Sequence, residues 1–182
     1  MTSIRAIDVS QLSAPALRLA QAEQFFTLFN QASRPGGDCW FDMAMHFDAF
    51  LFCFVSIEEM VPAEIKVRLR SVGSFKFFKA LRNITAHHSV IAGASPAAKF
   101  PRPVVRYIPD SLGASEMEPV EFKLKPDRLR IIFEEILNVR ESEKWTIEAA
   151  RSFLDDLEAA GRPIFIRQLM ELAIAEMRPH VT

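Results

Sequence analysis

Apolar residues recur along most of this chain at the three- and four-residue spacing that places side chains on one face of a helix. Over 14–30 the repeat is Ala16, Leu19, Phe26 and Phe29, entered from Leu12 and widened by Phe25 and Leu28. Ser13 stands where an N-cap is expected, and Pro15 is tolerated in the first turn because the N–H it lacks would go unpaired there anyway. The run Arg34-Pro35-Gly36-Gly37 ends this helix in a turn. A second helix is predicted over 38–60. It is apolar on nearly every side, from Trp40, Phe41, Met43 and Met45 through Phe47, Phe50, Leu51, Phe52, Phe54 and Val55. A helix of that kind lies centrally or is shared with a partner subunit.

Pro62 restarts a helical stretch through Ile65 and Leu69, and Gly73 and Ser74 interrupt it. Ser74 is the predicted cap of the next helix, whose buried side is Phe75, Phe77, Phe78, Leu81, Ile84 and Thr85, with Gly93 as its stop. The periodicity then lapses. Pro96, Pro101, Pro103, Pro109 and Pro119 exclude a helix over 94–119. The segments 104–108 and 120–124 alternate enough to pair as a small β-hairpin, the alternative being an irregular excursion. Helical spacing returns after Pro126 with Leu129, Ile132, Phe133, Ile136 and Leu137. Thr146 is then expected to cap a helix that ends at Gly161. Pro163 opens a last one with Phe165, Ile166, Leu169, Leu172 and Met177 on its inner side. The expected fold is all-α: one domain over 1–182, a helical bundle with a proline-rich insertion at 94–125 and extra C-terminal helices at 145–179.

Composition narrows the function. With a net charge of −1, a generic polyanion binder is not indicated, so any nucleic-acid contact must come from a local patch. Sixteen Phe residues stand beside a single Tyr, which suits a dry aromatic core. Two cysteines without CxxC spacing fit a reduced, cytoplasmic compartment. No basic segment followed by an apolar stretch marks a signal peptide, and the longest apolar run is too short to span a bilayer. No Gly-rich phosphate loop, nucleophile elbow or zinc spacing is present, so neither a cofactor nor a metal is expected.

The candidate chemistry is concentrated in Arg82-Asn83-Ile84-Thr85-Ala86-His87, followed at once by His88, in a chain with four histidines. Arg82 is a permanently charged group suited to phosphate, and His87 titrates near neutrality. Five residues apart on a helix, they are offset by roughly 140° and form an L-shaped pair. Asn83 and His87 share a face, so Asn83 is placed to orient the imidazole. A second copy of the helix, antiparallel across a two-fold axis, would set two such pairs around one cleft. There His87 could deprotonate a ribose 2′-hydroxyl or protonate the leaving 5′-oxygen, with Arg82 stabilising charge on the phosphoryl oxygens. RNA supplies its own nucleophile, so the scheme needs no metal. The bland alternative has Arg82 solvating the helix surface while His87 and His88 sit favourably at the helix C-terminus.

These residues resemble the R-[polar]-x(3)-H motif of HEPN domains, and the string from Leu81 to His88 is similar to the abortive-infection branch of that superfamily. The resemblance covers roughly 12–140. It implies a four-helix up-and-down bundle, usually dimeric, and in many members a metal-independent endoribonuclease of toxin-antitoxin or phage-defence systems. By the resemblance, Arg82 and His87 map onto the catalytic pair and Asn83 onto the polar residue beside the Arg. The chain departs from the pattern in its long insertion and in having Ser89 where one toxin branch carries Tyr.

His88 is assigned a structural or orienting role. His46 and Asp42, one turn apart, are expected to make a contact within an apolar helix rather than a metal pair. His46, His87 and His88 lack any recognised metal spacing. His180 is expected to be disordered near the C-terminus. Lys99, Arg102 and Arg106 in the insertion are the RNA-contact candidates. Three functions remain open: a homodimeric HEPN-type endoribonuclease acting on RNA, with an antitoxin or regulatory protein as a further partner; a non-catalytic HEPN-like binding or regulatory module; and a helical sensor holding a small ligand among the Phe residues of the second helix. No membrane partner is expected.

Overall fold

The computed structural model describes residues 12–33, 39–88, 126–139, 144–161 and 165–181. Among them are seven helices and no strand: α1 (Ala14–Ala32), α2 (Cys39–Met60), α3 (Ala63–Leu69), α4 (Gly73–His88), α5 (Pro126–Val139), α6 (Lys144–Ala159) and α7 (Ile166–Val181). The all-α class follows. The insertion, its hairpin and Gly93 lie outside the described residues, as does Pro163.

Local chemistry sets several boundaries as expected. The Ser13 hydroxyl accepts from the Ala16 N–H at 3.4 Å and Pro15 sits in the first turn of α1. At the other end Ser33 is buried, and its hydroxyl donates to the Asn30 carbonyl at 2.7 Å, which carries α1 two residues past the predicted end. Gly161, at φ +65°, closes α6, its N–H reaching the Glu158 carbonyl at 2.8 Å. That left-handed conformation is the one that favours glycine after a helix.

Two expected caps are not caps. Ser74 is the second residue of α4, which begins at Gly73, and its hydroxyl donates to a Glu176 carboxylate oxygen of α7. Thr146 is the third residue of α6 and is buried. A bond to another helix takes the side chain of Ser74, and burial takes that of Thr146. Three further expectations change. His180 is part of α7 and half-buried. Phe165 precedes α7, and Leu172 lies on its exposed side at 39%. The second helix is not buried all round, because Met45 and Phe52 stand 48% and 55% exposed.

α1 and α2 run antiparallel, with Gln21 near Cys53, Phe25 near His46 and Phe29 near Phe47. α4 lies against α6 and α2, and α7 covers α1 and α4. Phe78 of α4 is the hub of the core. Its ring lies 5.5 Å from Phe50, 5.6 Å from Phe77, 5.7 Å from Phe54 and 6.4 Å from Phe47, between centroids. Each such ring contributes roughly 1.5–3 kcal/mol by leaving water. Phe50 and Phe54 stack at 5.4 Å and both rings meet Phe78 of α4, while Phe52 between them stays exposed with the Arg18 guanidinium 5.8 Å from its ring.

Gly73 explains how closely α4 and α6 approach. A Cβ built there would stand 2.8 Å from Phe153 Cδ2, and the Phe153 ring packs at 5.4 Å on Phe77. Ion pairs fasten the outside. Glu58, buried on α2, takes Arg70 and Lys79 at 2.6 Å each. Burial alone would raise its pKa. The hydrogen bonds from Lys79 and Arg70 outweigh that and hold the carboxyl below its ordinary value. Arg130 of α5 bonds Asp155 and Glu158 of α6, and Arg151 meets Glu134 at 3.0 Å.

Candidate functional site

α4 is amphipathic, and its two faces carry different jobs. Ser74, Phe75, Phe77, Phe78, Ala80 and Leu81 are buried, while Lys76, Lys79, Arg82 and Asn83 are half-buried along the opposite edge. Arg82 follows Phe78 by one turn and Phe75 by two, which sets it, half-buried, at the margin of the aromatic core. Asn83 lies near the middle of the polar arc, in line with Lys76 two turns before it. α4 continues to His88, so the helix predicted to carry the motif does carry Arg82, Asn83, His87 and His88. The side chains from Ile84 to His88 lie outside the described residues. By register, positions 82 and 87 border the polar arc from opposite sides, offset by roughly 140°.

The electrostatics of this edge are set by three cations at spacing three, Lys76, Lys79 and Arg82. Lys79 is committed to Glu58, which pins α4 to α2. Among the described residues neither Lys76 nor Arg82 has a carboxylate at ion-pair distance. Lys76 instead places its ammonium 5.2 Å from the ring centroid of Trp145, a residue of α6 that is 51% exposed. Among the described residues the edge therefore keeps cations without carboxylate partners on one flank and an indole on the other. The cation spacing was readable in the sequence. The pairing with Trp145 was not, because it joins residues on different helices.

The remaining candidates fall elsewhere. Lys99, Arg102 and Arg106 lie outside the described residues. Asp42 is exposed and makes no hydrogen bond with His46, so the expected contact is absent. The His46 ring instead lies 6.4 Å from that of Phe25, with Nδ1 buried and without a hydrogen-bond partner. Asp48, one turn from both Met45 and Phe52 on α2, was not singled out in the sequence. It is half-buried with an unpartnered Oδ1, and burial raises its pKa to about 6. Among the described residues no group of three His, Cys, Asp or Glu side chains gathers as a metal site would require, and no helix is long and apolar enough to cross a membrane.

Compared with protein-family models, with curated proteins and with solved structures, the chain matches none.

Proposed function

We propose that this protein is a metal-independent endoribonuclease of HEPN type, acting as a cytoplasmic homodimer in phage defence or a toxin-antitoxin system. The observation that supports the reading best is the polar edge of α4. It carries Arg82 with no carboxylate partner among the described residues, Asn83 beside it, and His87 on the same continuous helix. A guanidinium at the rim of an aromatic core, without a carboxylate partner among the described residues, is suited to a phosphate.

In this reading one His87 takes the proton from a ribose 2′-hydroxyl, and the 2′-oxygen attacks the adjacent phosphorus. The P–O5′ bond breaks, and the 5′-oxygen leaves with a proton from the second copy's imidazole. Arg82 neutralises the charge that builds on the non-bridging oxygens. Asn83, one turn before His87, orients the ring. His88 acts through stability. The two-fold pairing supplies base and acid together, which a single L-shaped pair does not.

The test is cleavage of tRNA and mRNA by purified protein in excess chelator. Products should carry 2′,3′-cyclic phosphate and 5′-hydroxyl ends, and DNA and 2′-O-methyl RNA should resist. Arg82→Ala should lower turnover by about a hundredfold or more, the scale of losing one donor to a developing oxyanion. Arg82→Lys should recover only part, because an ammonium cannot make the bidentate contact. His87→Ala should be comparably damaging. Activity that survives loss of both residues, or that requires Mg²⁺, refutes the mechanism and leaves the non-catalytic regulatory module in its place.

A further inference from the structure

We propose that Trp145 is a stacking platform for an unpaired base of single-stranded RNA, on the same strand as a phosphate held at Arg82. The inference rests on the ribonuclease reading and adds to it a base-binding position on α6, outside the helix that carries the motif.

Three observations converge on it. Trp145 is 51% exposed, in the first turn of α6 and outside the aromatic core around Phe78. Its ring is held by the Lys76 ammonium at 5.2 Å, so the indole is a braced surface rather than a free rotor. Lys76 also belongs to the same polar edge as Arg82 and Asn83. Lys76 and Arg82 are six positions apart, about 9 Å along the helix axis and about 120° around it. A strand that reaches both therefore crosses α4 obliquely and needs more than the two or three stacked nucleotides, at about 3.4 Å each, that the axial rise alone would take.

The charge argues for nucleic acid. The edge offers a phosphate Arg82 and Lys76, neither with a carboxylate partner among the described residues, with Lys144 beside Trp145 only loosely paired to Glu148 at 4.0 Å. An aromatic face next to cations spaced along one helix matches a base-and-phosphate ladder. A duplex keeps its base faces stacked on one another, and so cannot use the indole. A single strand, a loop or a bulge can.

The test uses the full chain and a 2′-O-methyl oligonucleotide, which resists cleavage and lets binding be measured with the catalytic residues intact. Anisotropy of a labelled 12-nucleotide single strand should show Trp145→Ala weakened roughly tenfold to a hundredfold, the usual scale for one base-stacking aromatic. Trp145→Phe should stay within a few-fold, since a smaller ring still stacks. An oligonucleotide with a single abasic site, walked along the sequence, should reach one position where wild type and Trp145→Ala bind alike. Thermal melts confirm that both variants are folded.

Equal binding by wild type and Trp145→Ala, with RNA still cleaved, overturns the platform and leaves the ribonuclease reading standing. Equal affinity for a duplex of the same sequence also overturns it. So does a Trp145→Ala protein that has become monomeric where wild type is dimeric, since the indole then belongs to the contact between copies. Wild-type protein that neither binds nor cuts RNA removes the ribonuclease reading and the platform together.

Discussion

Replacing Asp48 by Asn should stabilise this protein at neutral pH and do almost nothing at pH 4. Asp48 is half-buried, its Oδ1 has no hydrogen-bond partner, and burial raises its pKa from 3.8 to about 6. A carboxyl whose folded pKa is raised binds its proton more tightly in the folded chain. Its contribution is therefore most favourable below the unfolded pKa and is lost as pH rises through the folded one. Wild type should lose stability from this group between about pH 4 and pH 6, and no more beyond. About two units at ~1.4 kcal/mol each sets an upper bound near 3 kcal/mol. The side chain is only half-buried and solvent screens part of that, so about 1–2 kcal/mol is the expected gain. Asn has nearly the same shape, so packing is held constant while the charge is removed. Chemical denaturation of both proteins at pH 4 and pH 7 measures the difference directly. A gain of equal size at the two pH values, or a loss at pH 7, would show that desolvation of this carboxylate is not what costs stability.

Two further substitutions test how α4 is held. Glu58→Gln should cost about 1–2 kcal/mol at pH 7, less than a fully buried pair because Arg70 is half exposed, at 51%. Since the folded pKa of Glu58 is depressed, that cost should be present above its unfolded value of 4.5 and fade as pH falls through the folded one, which denaturation across pH 3–7 would read. Gly73→Ala should destabilise by about 1 kcal/mol or more, because the added methyl meets the Phe153 ring. Combining it with Phe153→Leu should recover part of that loss, and strict additivity in the double-mutant cycle would refute the contact as the cause.

What the sequence determined by itself was local. The apolar spacing, the Ser13 cap, the breaking prolines and Gly161 gave an all-α chain whose helices fall close to their predicted ends. The same periodicity put Arg82, Asn83, His87 and His88 on one helix, because register along a helix follows from sequence distance alone. Everything decided by contact between helices was illegible. Ser74 and Thr146 have the chemistry of caps, yet Ser74 bonds Glu176 and Thr146 is buried inside α6. Leu172 fits an apolar stripe and still faces outward, and His180 is ordered because α7 continues past it. The electrostatics of the candidate site belong to the tertiary structure too. Lys76, Lys79 and Arg82 read as three equal cations at spacing three. Only the packing of α2 and α6 against α4 assigns one to the buried Glu58 and one to the Trp145 indole, and among the described residues gives Arg82 no carboxylate partner. Sequence distance carries no information about which charges burial brings together, and that selection sets where the positive field remains.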